Sequence, residues 1–162
     1  MKKSCIRLSR GEIDEKSLIT LVTLFVLVIG IYFAIGLLNS YPPSPNITVD
    51  DKKLEVARGS YCWEGLFNAA CVDTISPPML IKHHEIIPVI VSPESELKIE
   101  FKKEPEENTL GVTRLLSNNE VEDVSVNNNV LVAPKEKGVY IYDVHARWDK
   151  GDSSYAFVIE VQ

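Results

Sequence analysis

The chain has 162 residues, with 17 Lys and Arg against 23 Asp and Glu, so its formal net charge is −6 at pH 7. A chain of this length ordinarily forms one domain, and its acidic balance argues against nucleic acid or anionic lipid as a ligand. The imbalance is concentrated after a long apolar segment: from position 39 onward, 12 Lys and Arg oppose 20 Asp and Glu.

The first element is an uncharged apolar segment, residues 17–38, which follows a short mixed-charge tail at residues 1–16. At ~1.5 Å rise per residue this segment forms roughly 33 Å of helix, enough to cross a hydrocarbon core of ~30 Å. Because it is apolar on every face, it predicts a transmembrane helix rather than a helix buried in a soluble core. A cleaved signal peptide is the alternative, but its apolar region usually spans about 7–15 residues. We therefore expect an uncleaved anchor.

The charges that flank the helix predict its orientation. Lys and Arg occur at positions 2, 3, 7, 10 and 16 before it, and the next one after it is Lys52. The positive-inside rule therefore predicts a single-pass protein of the cell membrane, with a cytoplasmic N-terminus and an extracytoplasmic C-terminal domain. Residues 39–46 follow as a proline-rich linker, in which Pro42, Pro43 and Pro45 favour an extended spacer.

Residues 47–162 predict a mainly β domain because apolar and polar residues alternate. The clearest alternation is at residues 97–101. Two longer runs, 139–149 and 154–161, are joined by a Lys-Gly-Asp turn and predict a C-terminal hairpin. Weaker strands are expected at residues 47–49, 53–58, 86–91, 111–116, 121–126 and 130–132. About seven to nine short strands predict a sandwich of two antiparallel sheets. The only helix expected in this domain is one or two turns around residues 64–70.

The most distinctive stretch, residues 59–80, contains the two cysteines that follow the helix, Cys62 and Cys71. Outside the cytoplasm such a pair predicts a disulfide, with two reduced thiols as the alternative. The spacing differs from the Cys-x-x-Cys pattern of redox enzymes. A zinc site would need further ligands, and residues 39–162 contain no other cysteine.

The same stretch supplies a candidate binding surface. Its members are large apolar or aromatic residues and one acid: Tyr61, Trp63, Phe67, Asp73 and Met79. Exposed together, they would form an interaction patch, although for Trp63 packing in the core is the favoured interpretation over a place in such a patch. His83 and His84 are weak metal candidates, because adjacent residues of an extended chain point to opposite sides. A surface histidine pair is the simpler interpretation, and we expect no metal or other cofactor.

Catalytic signatures are missing from the sequence. It contains no Gly-x-Ser-x-Gly elbow, no glycine-rich phosphate loop and no His-Glu-x-x-His motif. Its carboxylates are scattered, whereas acid/base catalysis needs two such groups across a cleft with separated pKa values. We therefore expect no enzymatic activity, and a metal-dependent enzyme that uses His83 or His84 is the least favoured hypothesis.

Two parts of the sequence resemble known families. Gly-Ser-Tyr-Cys-Trp at 59–63, Cys-Val-Asp at 71–73 and Ser-Pro-Pro at 76–78 resemble a pattern in small cell-envelope proteins of Bacillus-type bacteria, a group without an established activity. The last two predicted strands resemble those of bacterial immunoglobulin-like domains in their glycines and aromatics: Gly138, Tyr140, Tyr142, Trp148, Gly151, Tyr155 and Phe157. The resemblance implies a cell-envelope location and an immunoglobulin-like β-sandwich. It implies no mechanism.

Together these observations favour a non-enzymatic binding or interaction module, tethered to the outer face of a bacterial membrane by residues 17–38. Its ligand would be a protein or another component of the cell envelope. The alternative is an envelope sensor or regulator. That function would require a membrane partner, because the tail of 16 residues is too short to act as an output device alone.

Overall fold

The computed structural model of the chain describes residues 14–38, 41–65, 69–116 and 120–162. The chain divides into two compact units, the first ending at Leu38 and the second beginning at Asn39. The first unit contains one helix, α1 (Glu15–Leu38). The second unit contains the β-strands and a short helix, α2 (Pro77–His83).

Helix α1 is apolar around its whole circumference and is long and apolar enough to cross a membrane. Its two threonine hydroxyls are hydrogen-bonded within the helix: Thr20 Oγ1 donates to the Lys16 carbonyl and Thr23 Oγ1 to the Ile19 carbonyl, both at 2.8 Å. Such bonds to the preceding turn remove the cost of placing a hydroxyl in apolar surroundings. The predicted segment 17–38 thus lies within a single helix.

The second unit is mainly β, as the alternating pattern predicted. Its described strands are short except for the last two: β1 Asn46–Val49, β2 Lys52–Lys53, β3 Ala57–Glu64, β4 Ala69–Val72, β5 Val89–Val91, β6 Glu96–Glu100, β7 Gly111–Leu115, β8 Val121–Val124, β9 Val130–Val132, β10 Gly138–Trp148 and β11 Gly151–Val161. The long C-terminal hairpin is confirmed, and its turn consists of Asp149 and Lys150.

The strands form two sheets. The small sheet has the order β2-β1-β6-β9, and the large sheet has the order β4-β3-β11-β10-β7-β8. Neighbours in both orders are antiparallel, as predicted. One pair differs from the prediction, because β5 runs parallel to the C-terminal part of β11. Strand β3 pairs with the N-terminal part of β11. No tight turn joins β5 to β11, so hairpin geometry does not dictate their relative direction.

One hydrophobic core contains residues from both sheets. The small sheet contributes residues that are 0 % exposed, among them Ile47, Leu97, Ile99 and Leu131. The large sheet contributes alternate residues of β10 and β11, among them Tyr142, Val144, Trp148, Tyr155 and Phe157. The Trp148 indole also donates a hydrogen bond of 2.9 Å to the Lys103 carbonyl, which satisfies its buried polar atom. We call the face of the large sheet that carries these core residues its inner face, and the opposite face its outer face.

The proline segment packs onto the β domain. Pro42 and Pro45 are buried. Arg58 Nη2 on β3 donates to the Pro42 carbonyl at 3.2 Å and to Ser44 Oγ at 3.0 Å. The same guanidinium lies 5.5 Å from the ring centroid of Tyr41, a distance typical of a cation–π contact. Arg58 therefore holds the segment from Tyr41 onward against the domain.

A second bond fixes the same segment, because the buried Tyr155 hydroxyl on β11 donates to the Pro43 carbonyl at 2.8 Å. Residues 41–46 of the predicted linker 39–46 thus pack on the β domain. Proline content favoured a stiff, extended backbone for this segment. It gave no information on the two side chains that bind this backbone.

Helix α2 covers part of the outer face of the large sheet. Leu80 and Ile81 pack there with Ala57, Ile86, Ala156 and Val158. The helix begins with Pro77 and Pro78, which suit a first helical turn because its N–H groups have no intrahelical partner. The sequence placed its short helix around residues 64–70 instead. There the structure has the end of β3 and the start of β4, and residues 66–68 lie outside the described part of the chain.

Candidate functional site

A groove with a volume of about 530 Å³ lies on the outer face of the large sheet. It is formed where β3 and β4 meet the C-terminal hairpin, and the segment before β7 contributes to it. The polar side chains of its lining come from five separate parts of the chain: Ser60, Asp73, Thr109, His145, Arg147, Asp152 and Ser154. We call this feature the outer groove.

The alternation of β10 and β11 gives the outer groove its polar lining. On β10, Val144 and Ala146 point into the core, so His145 and Arg147 point outward. The hairpin register places His145 directly opposite Ser154 and Arg147 directly opposite Asp152. Side chains paired in this way lie about 4.5–5.5 Å apart at Cβ. The groove therefore presents a cation, an acid, an imidazole and a hydroxyl on rigid strands.

Two glycines make room for these side chains. A Cβ atom at Gly111 would lie 2.2 Å from Nε2 of His145, so the imidazole occupies space that any other residue at position 111 would fill. A Cβ atom at Gly59 would lie 2.2 Å from Ser154 Oγ. The register between β3 and β11 shifts at this point, between Ser153 and Tyr155. The outer groove thus depends on glycine at both positions.

Hydroxyl groups connect the groove walls to one another. The Thr74 N–H donates to Ser60 Oγ at 3.1 Å, which ties the end of β4 to β3. Ser154 Oγ donates to the Ser60 carbonyl at 3.4 Å. On the far wall, the Arg147 N–H donates to Thr109 Oγ1 at 3.3 Å, which joins the segment before β7 to β10. These bonds order the walls before any ligand arrives, which lowers the entropic cost of binding.

The predicted disulfide between Cys62 and Cys71 is present. The two residues are directly opposite each other on β3 and β4. Cys62 lines the outer groove, and a second concavity of about 380 Å³ lies on the other side of the bridge, with Lys150 in its lining. The bridge therefore holds the edge strand β4 in place as one wall of the site.

The outer face also carries a carboxyl group that titrates near pH 6. Asp143 lies two residues before His145 on β10, opposite Thr113 of β7 and Ala156 of β11. Burial raises the pKa of Asp143 to about 6, because partial removal from water disfavours the charged carboxylate. The charge of this face therefore changes in mildly acidic solution.

The structure brings together two of the five residues of the predicted binding surface. Asp73 lines the outer groove, and Tyr61 also contributes to the lining while its side chain packs partly buried against the core. Trp63 is buried, with 5 % of its surface exposed, and its ring centroid lies 5.9 Å from that of Trp148 in an edge-on contact. Met79 lies on α2, 57 % exposed and outside the groove lining. Phe67 lies outside the described residues. Trp63 is thus a core residue, which is the interpretation that the sequence favoured for it.

The two adjacent histidines lie at the end of α2. His83 is the last residue of the helix and His84 follows it, with 5.2 Å between the ring centroids. Within residues 14–38, 41–65, 69–116 and 120–162, no group of three or more His, Cys, Asp and Glu side chains is arranged to hold a metal ion. The geometry therefore gives no support to the weak metal hypothesis at His83 and His84.

Sequence reasoning missed most of the groove residues, although a signal was present. In the sequence, His145 is marked only by its place among the polar residues of an alternating run. Once the two-residue turn of the C-terminal hairpin is placed, counting outward from it pairs Arg147 with Asp152 and His145 with Ser154. The contributions of Ser60 and Thr109 depend on long-range sheet order, which the hairpin alone does not reveal.

Comparison of the chain with protein-family models, with curated proteins and with solved structures finds no match. The geometry of the outer groove is therefore the basis for the functional proposal.

Proposed function

We propose that the chain is a membrane-anchored, extracytoplasmic binding module without enzymatic activity, whose domain is an immunoglobulin-like β-sandwich. Its ligand is a protein or another component of a bacterial cell envelope. The main observation in support of the proposal is the outer groove, a pre-ordered concave surface with four kinds of polar group. The Cys62–Cys71 disulfide crosslinks the strands that form one of its walls.

The strand order supports the immunoglobulin-like assignment. In such domains, strands A, B and E lie in one sheet and strands C, F and G in the other, with a further strand beside C in variable-type domains. Here β1, β6 and β9 are neighbours in the small sheet, and β11, β10, β7 and β8 are neighbours in the large one. We assign them as A-B-E and G-F-C-C′. The hairpin of β3 and β4 is then an addition to the G edge, and it supplies one wall of the outer groove.

The proposed side of the membrane follows from charge and redox chemistry. Lys and Arg precede α1 and are scarce directly after it, which favours a cytoplasmic N-terminus. A disulfide persists in oxidising compartments and is rare in the cytosol. The Cys62–Cys71 bridge supports an extracytoplasmic location for the β domain.

The outer groove suits a polar ligand. Arg147 can donate two parallel hydrogen bonds to a carboxylate or phosphate, while Asp152 and Asp73 accept hydrogen bonds from hydroxyl or amino groups. Binding sites commonly combine a rigid scaffold with a few convergent polar groups of this kind. A peptide or a glycan with both donors and acceptors fits this chemistry better than a purely apolar ligand.

Site-specific photo-crosslinking in living cells tests the proposal. A benzophenone amino acid replaces Asp152 in the groove, or Glu94, an exposed residue outside the groove lining, as a matched control. We expect an adduct of discrete mass from position 152 and not from position 94. The Arg147→Ala substitution should reduce that adduct several-fold, because it removes the groove cation without altering the inner face.

Two results would contradict the proposal. One is the absence of any adduct from position 152 under conditions in which the probe reacts with added small molecules. The other is the same adducts from both positions with no effect of Arg147→Ala, because random encounters at a cell surface would give that pattern.

A further inference from the structure

The open edges of the two sheets differ in their protection against pairing with another strand. Natural proteins protect such edges with charges, prolines or very short strands. The open strands β2, β5, β8 and β9 follow this rule, with Lys52 and Lys53 on β2, Pro88 and Pro93 around β5, Glu122 and Asp123 on β8, and Pro134 after the three residues of β9. Strand β4 reads Ala-Ala-Cys-Val, has Asp73 directly after it as its one flanking charge, and has no proline within four residues on either side.

Strand β4 also lies at the end of the large sheet, and all four of its side chains are exposed. An edge strand often frays, which would limit its use as a template. Here the Cys62–Cys71 bridge ties the middle of β4 to its neighbour β3. This edge, protected by a single flanking charge, is therefore also an ordered one.

Hydrogen bonds of the neighbouring strand β3 identify which backbone groups of β4 face the open edge. The Glu64 N–H donates to the Lys150 carbonyl at 2.7 Å, so Glu64 is directed toward β11 and, by alternation, Trp63 toward β4. Trp63 pairs with Ala70, and the Thr74 N–H points back to Ser60 on β3. Even-numbered residues of this segment thus face β3. The N–H and C=O groups of Ala69, Cys71 and Asp73 face outward.

We propose that β4 pairs with β4 of a second copy of this chain, antiparallel and centred on Cys71. This register places Cys71 opposite Cys71 of the partner, and Ala69 opposite the partner's Asp73. All three outward-facing residues of each copy then pair, with about six main-chain hydrogen bonds across the seam. A register centred on Asp73 would place two carboxylates directly opposite each other, which is unfavourable.

A second copy is the occupant that this edge fits best. Antiparallel self-pairing uses the same surface on both chains and closes at two copies, as most soluble oligomers do. The seam is short, so its intrinsic affinity is low. Helix α1 is long and apolar enough to confine copies to one membrane, and such confinement raises their effective concentration. The pairing should therefore depend on the density of the protein in the bilayer.

Energy transfer between full-length chains tests the inference. Chains with a donor or an acceptor fluorophore at the C-terminus are reconstituted into phosphatidylcholine vesicles at several protein-to-lipid ratios. We expect transfer above the level of random proximity, rising with density. Ala69→Glu should weaken association about twofold to tenfold. The new carboxylate at position 69 would lie opposite Asp73 of the partner subunit, and this repulsion would occur twice in each dimer. Asp73→Lys alone should have a smaller effect.

The double variant with Ala69→Glu and Asp73→Lys separates self-pairing from damage to the hairpin. Within one chain, residue 69 pairs with Glu64, and Asp73→Lys cannot relieve that repulsion. Between chains, the double variant places opposite charges across the seam, so transfer should return to the wild-type level or exceed it. Random-level transfer at every density would overturn the inference. So would a double variant as weak as Ala69→Glu, because the seam would then lie elsewhere.

Discussion

The inner and outer faces of the large sheet come from alternate residues of the same strands, yet they carry different chemistry. On the inner face, Tyr142 stacks on Phe157 with 4.9 Å between ring centroids, in a core closed by the small sheet. On the outer face, Asp143, His145 and Ser154 occupy positions one residue away. Packing against a second sheet leaves the inner face mostly apolar, and polar groups there such as the Trp148 indole N–H and the Tyr155 hydroxyl are hydrogen-bonded. Only part of the outer face is covered, by α2, and the remainder holds the candidate site.

The largest expected effect contrasts neighbouring residues on opposite faces. Phe157→Ala should lower the free energy of unfolding by about 3–5 kcal/mol, because it leaves a large cavity in the closed core. Val158→Ala, under α2 on the outer face, should cost about 1–2 kcal/mol. Denaturant unfolding of the full chain in detergent, followed by tryptophan fluorescence, measures both, because Trp63 and Trp148 lie in this core.

Equal losses of unfolding free energy for Phe157→Ala and Val158→Ala would contradict the proposed difference between the two faces. The exposed variant Arg147→Ala is the control and should change stability by less than about 0.5 kcal/mol.

The second expected effect is the loss of the disulfide. Replacing Cys62 and Cys71 together by serine should lower the free energy of unfolding by about 2–3 kcal/mol, the entropy of a loop with a sequence separation of 9. The same unfolding assay measures it. Since the bridge lies on the outer face, the core should stay intact, and the near-ultraviolet spectrum of its aromatics should be unchanged. A lost aromatic spectrum would show that the inner face depends on the hairpin of β3 and β4.

The third effect is smaller and depends on pH. Burial raises the pKa of Asp143 to about 6 in the folded domain, above the ordinary value for an aspartic acid. The folded state therefore binds this proton more tightly than the unfolded state does. The resulting cost to stability is absent below the unfolded pKa, grows as the pH rises between about 4 and 6, and stays constant above that range.

Asp143→Asn should remove this cost and stabilise the domain by about 1–2 kcal/mol at pH 8, with little effect at pH 4, since the side chain is only partly buried. Unfolding curves of both proteins at the two pH values provide the measurement, with Asp152→Asn as an exposed control. A variant that is destabilised equally at both pH values would show that the carboxylate makes a favourable contact on the outer face.

Sequence patterns predicted the features that depend on local order. Period-two alternation located most strands and the inward side chains of β10 and β11. The long uncharged apolar segment located α1. The disulfide followed from the number of cysteines. Features that depend on distant contacts were missed, such as the binding of the proline segment by Arg58 and Tyr155 and the position of α2. The outer groove belongs to this second class, because Ser60, Thr109 and His145 meet only through the order of the large sheet.

The proposed side of the membrane is tested most directly by labelling lysines in intact cells with a membrane-impermeant amine reagent, followed by mass spectrometry. Exposed lysines of the β domain, among them Lys52, Lys82 and Lys137, should be labelled in intact cells. Lys2 and Lys3 should be labelled only after the membrane is permeabilised. The reverse pattern, with the N-terminal lysines labelled first, would contradict an extracytoplasmic binding module.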